Sequence, residues 1–480
     1  MDSNVLLLQR NYSNNNFKIL HIVLSGFLLV ICCFFDDYIL NDYIAMAIFA
    51  QFYIIVLISD SNLVWKYVFL HYYIVTATVS VFICDTSKVY LNELDQYSFF
   101  AGALPLQLLY YYMVMVFLVI LENTVYKNAY LEKNKVRYDG FDRIGLAIFK
   151  YACILLFILG AFFFAMVATK PAFLLGVDRF AYAMNYLPSF LNRIHLLPNV
   201  VSPVIVIALI KRDDYSFKKK IVLFFAAMLP YMIFEIWTGQ RFQVFFMLVW
   251  SLAPLILISF KKDNMLLIKQ FKLLFVIAIV LFGIVSLFAL QRNISLWGFL
   301  KQRLCQQGQL WWKLYSEEKI NNFALRLKEF PVEVNAIVRS ILNRGTSKDY
   351  GIYRIMYLTT PVEIVSNKLK TGSRYAAQGL ELPFYYFKYV GLLVASFIEA
   401  VLFSFLSNKY YISIYKARII ESLIYLKILQ KALTAFCQGD WHSMLSPVSF
   451  LCYFILMLFA VVRIFMLYNE VTIRRNAEEL

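Results

Sequence analysis

The residues with the clearest potential for chemistry are polar groups at the borders of long apolar runs. Gly239-Gln240-Arg241 is a short turn between two such runs, so Arg241 stands where a helix begins. A guanidinium beside free backbone N–H groups and the positive end of a helix dipole is suited to binding phosphate. Glycine nearby lets the backbone approach such a ligand. The alternative is an arginine that only reaches lipid headgroups with its charged end.

A second polar cluster opens a long hydrophilic stretch that runs from Arg292 to Pro383. Its members are Arg292, Lys301, Gln302, Arg303, Gln306, Gln307, Gly308 and Gln309. Amide groups hydrogen-bond sugar hydroxyls, and arginine holds phosphate through two parallel hydrogen bonds. The pattern indicates a site for a phosphorylated glycan, with a solvated loop face as the alternative.

A third cluster, Gln438-Gly439-Asp440-Trp441-His442, precedes the last apolar run. His442 is the histidine with the most polar surroundings, and an imidazole can accept a proton near neutral pH. The alternative is a histidine satisfied by a structural hydrogen bond. Within the apolar runs, Glu235 and Glu399 could relay protons, although Glu235 could equally form an ion pair with Arg241.

The sequence contains no motif for binding a metal ion or a nucleotide. It contains no Asp-x-Asp, no pair of histidines at helical spacing, no cysteines at a paired metal-type spacing and no Walker loop. We therefore expect no metal and no cofactor.

The chain that carries these candidate residues has a larger apolar fraction than soluble proteins have. It is 61% hydrophobic and 16% charged over 480 residues, whereas soluble domains are about half apolar and a quarter charged. The net charge of +16 is typical of membrane proteins with Lys and Arg in their cytoplasmic loops, which removes the reason to expect nucleic-acid binding. The composition predicts an all-α, polytopic membrane protein with eleven or twelve spans.

The apolar runs predict where the spans lie. They fall near 17–35, 43–60, 63–84, 97–121, 144–168, 194–211, 220–238, 241–260, 268–290, 385–407, 419–436 and 446–468. The eleventh carries Glu421, Lys427 and Lys431, so an interfacial or re-entrant helix is the alternative there. Three regions follow: 1–291 with nine spans, a loop domain at 292–384, and carboxy-terminal spans at 385–480.

Basic residues orient the spans. Lysines and arginines cluster in alternate loops at 127–143, 211–220 and 261–269, and such loops are cytoplasmic. The stretch from Arg292 to Pro383 is then extracytoplasmic. Loops of this length are usually functional or disordered, and the apolar periodicity of Phe323–Ile341 favours short helices packed on the outer membrane surface. Its fourteen basic and seven acidic residues leave +7, which indicates an anionic ligand.

Four stretches of the sequence resemble motifs of the O-antigen polymerases, the Wzy-like membrane glycosyltransferases that join lipid-linked oligosaccharide repeat units. They are Gly239-Gln240-Arg241, Gln306-Gln307-Gly308, Gln378-Gly379-Leu380-Glu381 continuing to Gly391, and Asp440 to Pro447. Lys388 departs from the family pattern, which often has a small or acidic residue near that point. The resemblance implies a glycosyltransferase C-like fold in the bacterial inner membrane and an undecaprenyl-diphosphate-linked donor.

The resemblance also implies roles for individual residues. Arg241, Arg292, Arg303 and Arg374 would stabilise the charge that builds on the leaving diphosphate. His442, Asp440 and Glu381 are the candidates for accepting the proton of the attacking hydroxyl, and the glycan is expected to contact Gln306, Gln307 and Trp311.

The expected product is a surface polysaccharide such as the O-antigen of lipopolysaccharide or a capsule. Expected partners are membrane lipid, a chain-length regulator and a flippase, and no nucleic acid. A flippase or other transporter of the same lipid-linked glycans, and a related glycan ligase, are the alternatives.

Overall fold

The computed structural model describes residues 15–59, 61–126, 171–175, 179–187, 197–212, 214–238, 243–262, 279, 283, 295–343, 350–370 and 375–478. The predicted span near 144–168 lies outside the described residues, and so does the one near 268–290 except for residues 279 and 283. Three predicted diphosphate ligands, Arg241, Arg292 and Arg374, also lie outside them.

The described chain is helical apart from one antiparallel pair of two-residue strands. The amino-terminal elements are α1 (Asn15–Phe34), α2 (Ile39–Ser59), α3 (Ser61–Lys66), α4 (Val68–Thr86), β1 (Tyr90–Leu91), β2 (Gln96–Tyr97) and α5 (Leu104–Thr124). The central elements are α6 (Ala172–Leu175), α7 (Arg179–Asn185), α8 (Leu197–Lys211), α9 (Phe217–Trp237) and α10 (Gln243–Lys262).

The hydrophilic stretch forms short helices, and long helices follow it. The short ones are α11 (Leu296–Cys305), α12 (Gln309–Ile320), a 3-10 turn (Leu327–Glu329), α13 (Phe330–Asn343), α14 (Gly351–Thr359) and α15 (Val362–Lys370). The carboxy-terminal elements are α16 (Glu381–Tyr415), α17 (Ile419–Cys437), a 3-10 turn (Trp441–Leu445) and α18 (Pro447–Glu478).

Five described helices are long and apolar enough to cross a membrane: α2, α4, α5, α9 and α16. Shorter apolar stretches lie in α1, α8, α10 and α18. The protein is therefore a multi-pass membrane protein built from helices, which confirms the class that the composition predicts.

Helix α16 begins four residues before the predicted span and is sharply kinked. Lys388 has φ 52° and ψ −134° inside it, a conformation whose strain is typically about 1–3 kcal/mol for a residue with a side chain. The kink folds the first two turns back, and a Cβ atom on Gly391 would lie 2.1 Å from the carbonyl oxygen of Pro383. Glycine at that position permits the fold-back.

Helix α17 returns beside α16, antiparallel to it. At its start, the N–H of Arg418 donates to the carbonyl of Ser413 near the end of α16 (2.8 Å). At its other end, the carbonyl oxygen of Phe436 lies where a Cβ atom on Gly379 would be, only 1.9 Å away. The helix thus runs beside the carboxy-terminal part of α16, from Ser413 back to Phe403 and Glu399. Residues on several sides of it are buried, so protein covers it, and its charged residues need not face lipid.

The short helices pack on one end of the bundle, against the connections α1–α2 and α4–α5. The indole of Trp312 donates to Asp85 at 3.1 Å, and the hydroxyl of Tyr315 donates to Asp36 at 2.5 Å. Asp85 also accepts the N–H groups of Ala101 and Ala103 (3.0 and 2.9 Å) and that of Leu104, the first residue of α5 (3.2 Å). Because the first N–H groups of a helix lack intrahelical partners, Asp85 both caps α5 and anchors α12.

The orientation of this end is testable with single cysteines on a background from which the seven native cysteines have been removed. Asn321→Cys in the short-helix region and Leu445→Cys before α18 are expected to react with a membrane-impermeant thiol reagent added to intact cells. Lys219→Cys, in the basic start of α9, is expected to stay unlabelled. Labelling of Lys219→Cys alone would reverse the orientation, and protection of Leu445→Cys alone would show that α17 does not cross.

The packing of α17 on the chain before α16 predicts a steric effect of Gly379→Ala. The added methyl group would meet the Phe436 carbonyl, and overpacking of this kind destabilises by roughly 1–3 kcal/mol. We expect a lower apparent melting temperature of the purified protein in detergent. Gly283→Ala is the control, since no described residue lies within 4 Å of a Cβ atom there. Equal melting temperatures for the two variants would contradict the packing.

Candidate functional site

The centre of the candidate site is the buried side chain of Gln378, just before α16. Its amide oxygen accepts hydrogen bonds from Gln107 Nε2 (2.5 Å) and from the Tyr111 hydroxyl (3.0 Å), both on α5. Its amide nitrogen donates to the carbonyl of Gln307 at 3.2 Å. A buried polar group is costly unless it is hydrogen-bonded. The Gln378 cluster, formed by these four residues and Glu381, therefore ties the apolar helix α5 to the hydrophilic stretch.

Glu381 closes the cluster from the first turn of α16. Both of its carboxylate oxygens lie within hydrogen-bonding distance of the backbone N–H of Gln378 (2.8 and 2.9 Å), and the residue is buried. A carboxylate in this position holds the chain where it enters the helix. The structure thus gives Glu381 a positioning contact, while its predicted part in proton transfer stays a prediction.

Two glycines let separate parts of the chain approach Gln378. A Cβ atom on Gly308 would lie 2.6 Å from Val81 and 3.0 Å from Gln378 Nε2. Gly439 has φ +66°, and its Cβ atom would lie 2.8 Å from Ala377. These are the glycines of Gln306-Gln307-Gly308 and of the turn that starts at Gln438, so both stretches converge on Gln378.

The turn after α17 presents the paired side chains of Asp440 and His442. His442 Nδ1 lies 3.1 Å from Asp440 Oδ1, and the imidazole packs against the ring of Tyr350, with centroids 5.6 Å apart. The side chain of His442 retains 32% exposure. A histidine held by a carboxylate at one nitrogen and open to solvent is suited to taking a proton at the other.

Of the predicted cations, Arg303 is the one that the structure describes. Its guanidinium donates to the Gln306 side chain at 2.9 Å, so two predicted ligand contacts stand together at the end of α11. Gln307 follows them and joins the Gln378 cluster through its carbonyl.

The positive charge of the long stretch is partly neutralised within it. Glu318 accepts from both Arg326 and Lys388, and Glu329 accepts from Arg354. Burial raises the pKa of the nearby Glu333 carboxyl above its ordinary value, which the hydroxyl of Tyr386 opposes by donating to it. Lys319 and Lys368 pair in addition with Asp36 and Glu93, which lie outside the stretch, so the charge open to a ligand is smaller than the net charge of the stretch.

Trp311, which we expected to contact the glycan, lies in the interior. It is 0% exposed, its Nε1 donates to the carbonyl of Ala103 at 3.1 Å, and its ring packs on Phe384, with centroids 5.0 Å apart. With its indole N–H engaged and its ring covered, we assign Trp311 to packing between α12, α5 and α16.

The deep carboxylates are both buried. Glu399 accepts a hydrogen bond from the Tyr110 hydroxyl at 2.5 Å, and Cys437 Sγ lies 4.0 Å from it. Glu235 lies on α9, and its predicted partner Arg241 is outside the described residues. A relay role for either residue stays a prediction.

Sequence reasoning did not identify Gln107 and Tyr111 as part of the site. Their signal is a glutamine and three consecutive tyrosines inside an otherwise apolar span, Leu104 to Leu121. Polar side chains at membrane depth face protein and find partners there. The role of Asp85 in capping α5 and anchoring α12 was also not predicted, because a carboxylate at the border of a loop has the same pattern as a charge exposed to solvent.

Comparisons with known proteins add one match. A model of a family of unknown function, DUF6418, matches residues 345–454. No curated protein and no solved structure matches the chain. The matched segment contains α14 to α17, Gln378, Glu381, Asp440 and His442. Among the described residues, no three His, Cys, Asp or Glu side chains group so as to hold a metal ion.

The Gln378 cluster predicts unequal effects of removing its two glutamines. Gln378→Leu would leave Gln107, Tyr111 and the Gln307 carbonyl without this partner, and each buried unsatisfied group costs about 1–3 kcal/mol. Gln107→Leu removes one of these bonds. We expect the apparent melting temperature in detergent to fall further for Gln378→Leu, and little further in the double variant. An additive double variant would mean that the two side chains act independently.

Proposed function

We propose that the protein polymerises undecaprenyl-diphosphate-linked oligosaccharide repeat units into a surface polysaccharide, at the outer face of the bacterial cytoplasmic membrane. One observation carries the proposal. Three of the four stretches that resemble O-antigen polymerase motifs, Gln306 to Gly308, Gln378 to Glu381 and the turn at Asp440, meet around Gln378.

That convergence is informative because the stretches are far apart in sequence. Gln307 and Gln378 are separated by 71 positions, and Gly439 arrives only after two long helices. Motifs whose residues act in the same reaction must lie close together in the fold. Chance matches to such motifs need not lie close together. The three short motifs together therefore support the resemblance to O-antigen polymerases more strongly than any one of them does alone.

In the proposed reaction, a sugar hydroxyl of the acceptor glycan attacks the anomeric carbon of the donor. The new glycosidic C–O bond forms as the anomeric C–O bond to the diphosphate breaks, and undecaprenyl diphosphate leaves. The hydroxyl proton passes to His442 Nε2. Asp440 holds Nδ1 at 3.1 Å and stabilises the resulting imidazolium, and the Tyr350 ring fixes the plane of the imidazole.

The leaving diphosphate gains negative charge as the bond breaks, so preplaced cations lower the barrier. Arg303, already oriented by Gln306, is the described residue that we assign to this role. Arg241, Arg292 and Arg374 are the further proposed contacts, and the amides of Gln306 and Gln307 are proposed to bind the glycan. The reaction as proposed uses no metal and no cofactor.

The proposal extends to fold and partners. A helical membrane protein with a helical water-facing segment late in the chain suits the glycosyltransferase C type. A flippase that delivers the donor and a chain-length regulator are the proposed protein partners.

The direct test of the proposal is the surface-glycan ladder of cells that lack the gene. We expect single repeat units on the surface and no longer chains, with the wild-type gene restoring the ladder. A strain with no repeat units on its surface would favour a flippase, and an unchanged ladder would exclude polymerisation.

His442→Gln tests the assigned proton acceptor. General base catalysis contributes roughly 10²- to 10⁴-fold, so this variant should lose the ladder while the protein still accumulates in the membrane. Asp440→Asn should shorten the ladder, because the imidazole loses its anionic partner. His21→Gln, a partly exposed histidine within α1, is the matched control. A normal ladder from His442→Gln at equal expression would remove this residue from the site.

A further inference from the structure

The segment between α12 and the middle of α13 exposes an apolar edge. Its large apolar side chains that are well exposed are Ile320, Leu325, Leu327, Phe330, Val332, Val334 and Val338. Ile320 is 73% exposed and Leu325 is 62% exposed. Exposed apolar patches of this kind mark surfaces that contact a membrane or another protein.

On α13 the exposed apolar residues form a stripe. Phe330, Val334 and Val338 recur every four residues and therefore lie on one side of the helix. Asn335 and Arg339 are exposed on another side, and Glu333 is the member of the first turn that is buried. A helix that turns its apolar side outward, while a single carboxylate anchors it to the protein, has the character of an interfacial helix.

Contacts with α16 set the depth of this edge. The ring of Phe330 packs on Phe387 with centroids 4.9 Å apart, and Phe323 packs on Tyr389 at 5.9 Å. The backbone N–H of Arg326 donates to the carbonyl of Tyr386 at 3.3 Å. Three points thus hold residues 323–330 level with residues 386–389, where α16 enters its apolar stretch.

The apolar edge continues directly into the lipid-facing surface of α16. The exposed residues that follow on that helix are Tyr389, Val390, Leu393, Val394 and Phe397. Since α16 spans the membrane, these side chains face acyl chains, and the neighbouring edge borders the same phase. Lys328 and Arg339 are exposed beside the edge, and such cations suit the anionic headgroups of an interface.

We propose that residues 320–338 form an in-plane membrane element, whose apolar side chains insert among the lipid acyl chains of the leaflet on the short-helix side. The segment therefore does not rest on the headgroups. It extends the lipid-facing surface of α16 sideways, and Lys328 and Arg339 reach the headgroup layer from it. The occupant of this surface is the bilayer, not a protein partner.

The test uses full-length protein, free of native cysteines, in vesicles of phosphatidylcholine and phosphatidylglycerol. A nitroxide spin label is attached to Val334→Cys, Val338→Cys or Leu325→Cys, and to Asn335→Cys as the control on the polar side of α13. Collisions with oxygen, which concentrates among acyl chains, are compared with collisions with a water-soluble nickel complex. We expect the oxygen-to-nickel ratio to be severalfold higher at the three apolar positions than at Asn335.

Two results would overturn the proposal. Ratios at Val334, Val338 and Leu325 equal to that at Asn335 would place the edge in water. Low collision rates with both reagents at the three apolar positions would mean that protein covers the edge, as in a dimer or a complex. The readout needs no substrate, so it is independent of the proposed glycosyl transfer. The labelled positions are exposed, and three of them guard against the failure of one variant to fold.

Discussion

The requirement that a buried carboxamide satisfy all of its polar atoms organises the end of this protein on which the short helices pack. Gln378 meets it by joining α5, the turn after α11 and the start of α16. In an apolar interior each of these bonds replaces a bond to water that is no longer possible. The three partners must therefore arrive at one point, and the glycines at 308 and 439 are small because the chain passes so close to it.

At the other end of the bundle, the buried polar groups are charged and form an ion pair. Lys66, the last residue of α3, pairs with Glu122 of α5, which also accepts from Tyr67 (2.6 Å), Ser404 (2.8 Å) and Asn408 (2.8 Å). A buried ion pair tolerates burial only when further hydrogen bonds surround it. Helices α5 and α16 take part in both clusters. Their relative position is therefore fixed at one end by the Gln378 cluster and at the other end by the Lys66–Glu122 ion pair.

The sequence predicted the membrane helices well where lipid surrounds them and less well where protein does. Hydropathy located α2, α4, α5 and α9 closely, because apolar length reports the bilayer directly. Hydropathy did not decide whether α17 spans the membrane, because its charged residues are covered by neighbouring helices and not by lipid. The predicted run Phe323–Ile341 begins as a helix only at Phe330, because Asn322 and Phe323 adopt positive φ. The partners of Gln378 were beyond prediction, for they depend on tertiary contacts across more than 260 positions.

The distribution of satisfied and exposed polar groups indicates where chemistry can take place. Gln378, Glu381 and Trp311 are buried and hydrogen-bonded, so they hold the frame. The Asp440–His442 pair follows Gly439 and has an exposed side, and Arg303 is partly exposed in the last turn of α11. In the proposed mechanism, the buried amide cluster positions the site and the partly exposed imidazole takes part in the reaction. Motifs that resemble catalytic sequences can thus contain residues of both kinds, and burial distinguishes them.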